Sequence, residues 1–230
     1  MINTLKGVKI DLKSIANLVK KFQRKNVIKK YFSSHEIVKI HLGSNVSNVE
    51  GWLCSDIAPG FSGSIYLDAS QKFPFEDTSV DYIYSEHMIE HLMLEQSNTM
   101  LSECFRVLKN GGKIRLATPN LSKIIGLYLD NCDDKSQEYL KWISTNFLTN
   151  SADFSKVEVI NQMFHGWKHQ FLFDETYMRK FLVKKGFRNI TTCAYGVSTD
   201  DHLNNLETHH INVGNFDMVK FETLILEAEK

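Results

Sequence analysis

The sequence predicts an α/β fold: a three-layer sandwich on a mostly parallel sheet, with a C-terminal antiparallel strand, shortened early crossovers and a helical insert. Three observations carry this. From residue 37, short runs rich in β-branched and aromatic residues follow one another, each bounded by Gly, Pro, Asn or Asp. A helical stripe separates the fourth run from the fifth. After a mostly helical stretch over 121–187, the chain returns to two alternating runs near its C-terminus.

Residues 1–36 read as a basic amphipathic helical segment. Ile15, Leu18, Val19 and Phe22 recur at i, i+3, i+4 and i+7, with Asp11 as the cap and lysines and Arg24 on the other faces. The domain proper, 37–230, opens with the strand candidates Ile37–Leu42, Trp52–Asp56, Ser64–Leu67, Val80–Ser85 and Lys113–Thr118. Met100, Leu101, Cys104, Phe105 and Leu108 form the helical stripe, and Asn110-Gly111-Gly112 reads as the signal that ends it. A helical insert occupies about 121–170, and the last strands are Arg188–Tyr195 and Val219–Ala228. Pro59, Pro74 and Pro119 each follow an apolar run and mark turns. Parallel neighbours need a crossover of about a dozen residues. Only the nine residues 43–51 separate the first two strand candidates, and a still shorter link joins the second to the third. The first two crossover helices are therefore expected to be shortened or missing, with the N-terminal helix covering part of the face they leave.

Composition excludes several classes. An apolar share of 43% and a charged share of 23% rule out wholesale disorder. No run approaches the ~18 apolar residues of a spanning helix, and no secretory pattern stands at the N-terminus. Cys54, Cys104, Cys132 and Cys193 are scattered without a CxxC pair, which suits reduced thiols and a cytoplasmic protein. Residues 1–30 carry nine Lys/Arg against Asp11, so the body of this neutral chain is acidic, which argues against general nucleic-acid binding. Packing on the sheet is the expected role of the N-terminal helix; peripheral contact with an anionic membrane surface is the alternative.

The chemistry-bearing residues cluster at strand C-termini, where open α/β sheets bind ligands. His41-Leu42-Gly43-Ser44-Asn45 ends the first strand, Cys54-Ser55-Asp56 the second and Tyr66-Leu67-Asp68-Ala69 the third; Ser85, Glu86 and His87 follow the fourth. His87-Met88-Ile89-Glu90-His91 also fits HxxEH, an inverted zinc-peptidase pattern. That chemistry needs a long helix and a distant third ligand, whereas this run directly follows a strand. It is not read as a metal site, and His91 is expected to be a packed helix histidine. The acids Asp130, Asp133, Asp134 and Glu138 read as a solvated face.

The runs FPFEDTSVDYIYSEHMIEHL and ECFRVLKNGGKIRLATPNL, followed by GWKHQFLFDETYMRKFLVKKGFRNI, resemble the class I S-adenosylmethionine-dependent methyltransferases. Within them the chain looks most like the branch that accompanies polysaccharide and glycosyl-transfer enzymes. The resemblance covers roughly 37–230 and implies a Rossmann-like fold, S-adenosylmethionine as cofactor and S-adenosylhomocysteine as product, with no metal required. The family's Gly-x-Gly-x-Gly turn is reduced here to Gly43, Ser44 and Asn45. Asparagine stands at the second glycine and is the residue type that best tolerates a left-handed conformation after glycine.

By the same resemblance, Asp56 with Ile57 would meet the ribose hydroxyls, Asp68 with Ala69 the adenine, and Ser85 and Glu86 the cofactor at the fourth strand. Aromatics of the insert (Tyr128, Tyr139, Trp142, Phe147, Phe154, Phe164, Trp167, Phe171 and Phe173) would build the acceptor pocket for a small molecule or glycan. His87 is the expected general base, with His169 and His165 of the insert as the others. The expected reaction is O-methylation by in-line displacement. A catalytically degenerate binding protein of a glycan assembly complex is the alternative reading, favoured by the reduced glycine turn. The sequence does not give the oligomeric state.

Overall fold

Seven strands form one sheet in the order β3-β2-β1-β4-β5-β7-β6. They are β1 (Lys39–Leu42), β2 (Leu53–Asp56), β3 (Ile65–Tyr66), β4 (Val80–Glu86), β5 (Leu108–Pro119), β6 (Arg188–Cys193) and β7 (Thr223–Glu229). The first five pair in parallel, and β7 runs antiparallel between β5 and β6. The computed structural model describes residues 12–129, 133–148 and 155–230, with 12–22 described by backbone. The Asp11 cap, Asp130, Cys132, Phe154 and the side chains of Ile15, Leu18, Val19 and Phe22 lie outside the described residues. Among the described residues no helix is long and apolar enough to cross a membrane.

Register assigns the two faces. Ile40 stands beside Leu53 and Ile83, and Ile83 beside Ile114, so these four share one face. They belong to a single core with Met100, Leu101 and Cys104 of α2 (Leu94–Val107) and Met178, Phe181 and Leu182 of α6 (Glu175–Lys184). Helix α1 (Leu12–Ser34) joins that core through Val27, Ile28, Tyr31 and Phe32, and Arg24 Nη1 donates to the Tyr66 carbonyl at 2.9 Å. The links 43–52 and 57–64 are turns without helices, as the short spacing requires.

The position of α1 corrects the sequence reading. Crossovers between parallel strands are right-handed, so links running opposite ways across a sheet cover opposite faces. The chain runs one way from β1 to β3 and the other way from β4 through α2 to β5. The missing helices would therefore lie opposite α2, whereas α1 lies with it. The vacated face is covered instead by residues 195–222: Leu203 and Leu206 pack on Trp52 and Tyr84, and Tyr195 and Val219 on Ala117 and Ile225.

Charge fixes this cover. Arg115 of β5 is fully buried; its Nε donates to Glu207 Oε1 at 2.6 Å and its Nη1 to Glu227 Oε1 at 2.5 Å and to the Val197 carbonyl at 3.1 Å. Lys113, two residues back on the same face, holds Asp200 Oδ2 at 2.7 Å, and Tyr82 donates to the same oxygen.

Two boundaries also differ from expectation. Helix α2 gives way to β5 at Leu108, and Asn110-Gly111-Gly112 lies inside the strand's irregular start, bonded to Lys230. Residues expected to begin the last strand form α8 (Phe216–Glu222), because the Asn215 side chain accepts from Met218 N–H and nucleates a turn. The insert holds α3 (Leu121–Gly126), α4 (Asp134–Phe147) and α5 (Lys156–His165), with α7 (His209–Val213) later in the chain. Asp133, Asp134 and Glu138 are exposed as expected, and Asp133 also caps α4.

Candidate active site

The sheet order reverses between β1 and β4, and ligands of open α/β sheets bind at such a switch point. A cleft of about 460 Å³ opens there, within the usual range for a small-molecule site. Its near wall is the turn after β1. Gly43 (φ +72°) and Asn45 (φ +47°) are both left-handed, and a Cβ on Gly43 would come within 2.3 Å of Met88 Cγ. Asn45 thus adopts the left-handed conformation that asparagine tolerates best after glycine.

Asp56 braces this turn. One carboxylate oxygen accepts from Asn45 N–H at 3.0 Å, the other from Ala58 N–H at 2.7 Å. Asp68 accepts from Ser70 N–H at 3.0 Å and from the Ser70 hydroxyl at 2.6 Å. Both acids are half-buried at the rim, with Ile57 exposed and Ala69 packed on the core. Ser85 is buried beside Leu42 with its hydroxyl unpartnered. Of the nine residues expected to hold the cofactor, Gly43, Ser44, Asn45 and Glu86 line the cleft and the other five do not.

Glu86 has a structural task. Its oxygens accept from the N–H groups of Thr208 at 2.9 Å and His209 at 3.0 Å, so it anchors the start of α7. His209 is thereby brought onto His87: the rings stack with centroids 4.1 Å apart. His87 itself is left-handed (φ +46°) and opens the short 3₁₀ turn Ile89–His91 rather than a long helix.

The floor of the cleft holds His87, Glu90, His91, His169, His209 and Glu222. His87 Nε2 lies 3.2 Å from Thr223 Oγ1, and its Nδ1 stands 3.5 Å from Glu90 Oε1. Burial pulls the His87 pKa down, but the Glu90 carboxylate outweighs it and raises the ring to about 8. Both ring nitrogens thus face protein groups, and His87 is held as a cation rather than poised as a free base. His169 differs: its Nδ1 is 2.6 Å from the Met163 carbonyl, so Nδ1 donates and Nε2 keeps the lone pair. Burial holds His169 below its ordinary pKa and pushes His209 down to about 3, so both are neutral. Glu222 is buried against the Tyr139 hydroxyl, and burial raises its pKa.

Trp142 and Phe147 of the insert and Trp167 form an aromatic wall over this floor. The rest of the expected aromatic set lies elsewhere. Tyr139 is in the insert core, Phe171 and Phe173 pack with Tyr177 and Phe181, and Tyr128 and Phe164 are exposed. His165 is exposed and lies off the cleft. Sequence reasoning did not assign Glu90, His209 or Glu222 to the site; only the HxxEH spacing pointed to Glu90, and nothing local marks the other two.

Three buried polar atoms of residues lining the cleft make no hydrogen bond within the protein: His41 Nδ1, Ser44 Oγ and Glu90 Oε1, the last with the His87 ring 3.5 Å away. S-Adenosylmethionine would be received at the left-handed turn of Gly43 and Asn45, which lines the cleft.

Residues 57–116 match the family model of a methyltransferase domain. Among curated proteins no match was found. Among solved structures, a SAM-dependent methyltransferase from Archaeoglobus fulgidus is 18% identical over 93% of this chain and 94% of its own, with a TM-score of 0.50. One from Thermotoga maritima is 14% identical, covering 93% and 91%, with a TM-score of 0.48. Haemonchus contortus phosphoethanolamine N-methyltransferase 2, solved with S-adenosyl-L-methionine, is 13% identical, covering 91% and 52%, with a TM-score of 0.47. The Archaeoglobus likeness shows the fold. Residues 57–116 thus carry a methyltransferase-domain sequence, and nearly the whole chain shares the fold of a SAM-dependent methyltransferase.

Proposed function

We propose that the chain methylates a hydroxyl of a small ring-bearing acceptor, a sugar or glycan unit foremost, held between the aromatic wall and the His/Glu floor of the cleft. S-Adenosylmethionine supplies the activated methyl group when bound. The observation that carries this reading is that the left-handed turn at Gly43 and Asn45 lines the same cleft as Trp142, Trp167, His169 and Glu90. In this reading Gly43, Ser44 and Asn45 receive the cofactor, Asp56 and Ile57 flank its ribose, and Asp68 and Ala69 its adenine. Ser85 and Glu86 support the site from behind, Glu86 through α7.

The displacement itself is accelerated mainly by alignment and by exclusion of water. Trp142 and Trp167 offer flat apolar faces to a ring and limit water. A hydroxyl acceptor must also lose its proton. The groups placed to meet it are His169, through its free Nε2, and Glu90, through Oε1. His87 is a positioning residue in this reading, since it braces Glu90 and Thr223.

A panel of monosaccharides, nucleotide sugars, phenols and amines, scored by release of S-adenosylhomocysteine, tests the reading. Turnover is expected with hydroxylated ring acceptors and should fall when Trp167 becomes Ala. Turnover confined to amines would contradict O-transfer.

A further inference from the structure

Glu90 is the most anomalous side chain in the molecule. It is fully buried; Oε2 accepts from the Thr118 hydroxyl at 3.0 Å, while Oε1 makes no hydrogen bond and has the His87 ring 3.5 Å away. A carboxylate oxygen removed from water needs a cation or a donor. Two histidines stand beside it. The ligand atoms of Glu90, His91 and His169 all lie within 4.8 Å of one another.

We propose that Glu90, His91 and His169 bind one divalent transition-metal ion of the kind imidazole favours, Zn²⁺ foremost, at the acceptor end of the cleft. Two histidines and one carboxylate form a three-ligand set that leaves positions open for an acceptor oxygen. Each buried ligand is already held from behind. Thr118 fixes one oxygen of Glu90 while the other keeps only the His87 ring at 3.5 Å, and the Met163 carbonyl fixes the His169 tautomer so that Nε2 is the ligating atom. Such outer partners are the usual support of a metal ligand. The His91 and His169 rings meet at 61° with centroids 5.1 Å apart, so their lone pairs are able to converge. Bonds of about 2.0–2.2 Å place ligand atoms roughly 3–3.5 Å apart, and the exposed His91 ring is free to close that difference.

A second trio, His87, His209 and Glu222, also clusters within 4.8 Å, but its geometry is wrong for an ion. The His87 and His209 rings are stacked at 21°, so their lone pairs run in nearly parallel planes instead of toward one point. The Glu222 carboxylate is engaged by Tyr139.

This inference rests on the acceptor reading of the cleft and changes the means of activation: with the ion bound, His169 Nε2 and Glu90 act as ligands instead of taking the acceptor proton. An acceptor hydroxyl bound to the ion becomes more acidic, gives its proton to water, and keeps the electron pair that attacks the methyl group as the C–S bond breaks.

The test uses the full chain, stripped with a chelator and titrated with Co²⁺, read by visible absorption and by calorimetry. One ion per chain with ligand-field bands is expected. His91→Ala and His169→Ala should each weaken binding at least about tenfold, the loss seen even when an outer partner is removed. His209→Ala should leave binding unchanged. Because His91 is exposed, its variant should melt with the parent, so lost binding there is not unfolding. Absence of a stoichiometric site, binding that survives in both variants, or loss confined to His209→Ala overturns the proposal. S-Adenosylmethionine titrated into the stripped protein reports separately on the methyltransferase reading: intact cofactor binding without metal uptake defeats the metal site alone.

Discussion

The rim and the floor of the cleft are built in opposite ways. At the rim, Asp56 and Asp68 accept hydrogen bonds from Ala58 and Ser70, two residues further on, and both acids stay half-exposed. At the floor, His87 meets Thr223 136 residues away and Tyr139 meets Glu222 83 residues away, all inside the protein. The rim is a property of short peptide segments, and a reduced glycine turn is accommodated there by a single left-handed asparagine. The floor exists only once β7 has paired with β5 and α7 has been drawn onto Glu86. Damage at the rim should therefore be local and specific to cofactor, whereas damage under the floor should spread.

His169→Ala should separate the two regions most sharply. Turnover is expected to fall by about 10²–10⁴-fold, the range for a positioned group that handles a proton, with cofactor affinity unchanged. Equal losses in both would mean that the floor and the cofactor end are one unit.

Next in size is Arg115→Ala. It strips the buried partner from Glu207 and Glu227 and unties residues 195–209, at a cost of about 3–5 kcal/mol in urea unfolding. A change below about 1 kcal/mol would show that the apolar contacts of Leu203 and Leu206 hold this cover alone.

Asp56→Ala should act the other way: cofactor binding weaker by about 1.5–3 kcal/mol with little change in melting temperature, because its own hydrogen bonds lie near the surface. If melting falls as far as for Arg115→Ala, the rim is not local.

The last effect concerns pH and is smallest near neutrality. Burial lowers the His41 pKa to about 3, whereas the unfolded chain takes up that proton near ~6.5. A depressed histidine costs stability as pH falls from ~6.5 toward 3, by roughly 1.4 kcal/mol per pH unit. His41→Asn should flatten that slope in acid unfolding curves; an unchanged slope would place the proton uptake elsewhere.

The contrast between rim and floor also explains what was legible in the sequence. Strands β1 to β5 declare themselves because β-branched runs such as Tyr82-Ile83-Tyr84 end in turn residues, and the stripe of Met100, Leu101 and Cys104 is a local period. Gly43, Ser44 and Asn45 could be placed at the cleft because they follow a strand directly. The face taken by α1 was not legible, since it follows from crossover handedness and not from the helix's own stripe. Helix α8 was missed because Phe216–Glu222 runs into β7 without a break, and only the Asn215 cap separates them. His209 and Glu222 carry no local signal, because their place is set by the Glu86 anchor and by the pairing of Thr223 with Pro119.

Calorimetric titration of the full chain with S-adenosylmethionine and S-adenosylhomocysteine, repeated with Asp56→Ala and Gly43→Ala, bears most directly on the claim that this cleft serves methyl transfer. The account predicts one site per chain for both ligands, weakened by about 1.5–3 kcal/mol in Asp56→Ala. Gly43→Ala should lose the site, because a Cβ there collides with Met88 and strains a left-handed residue. No heat and no thermal shift at millimolar ligand would contradict it, and would leave a methyltransferase fold without its cofactor.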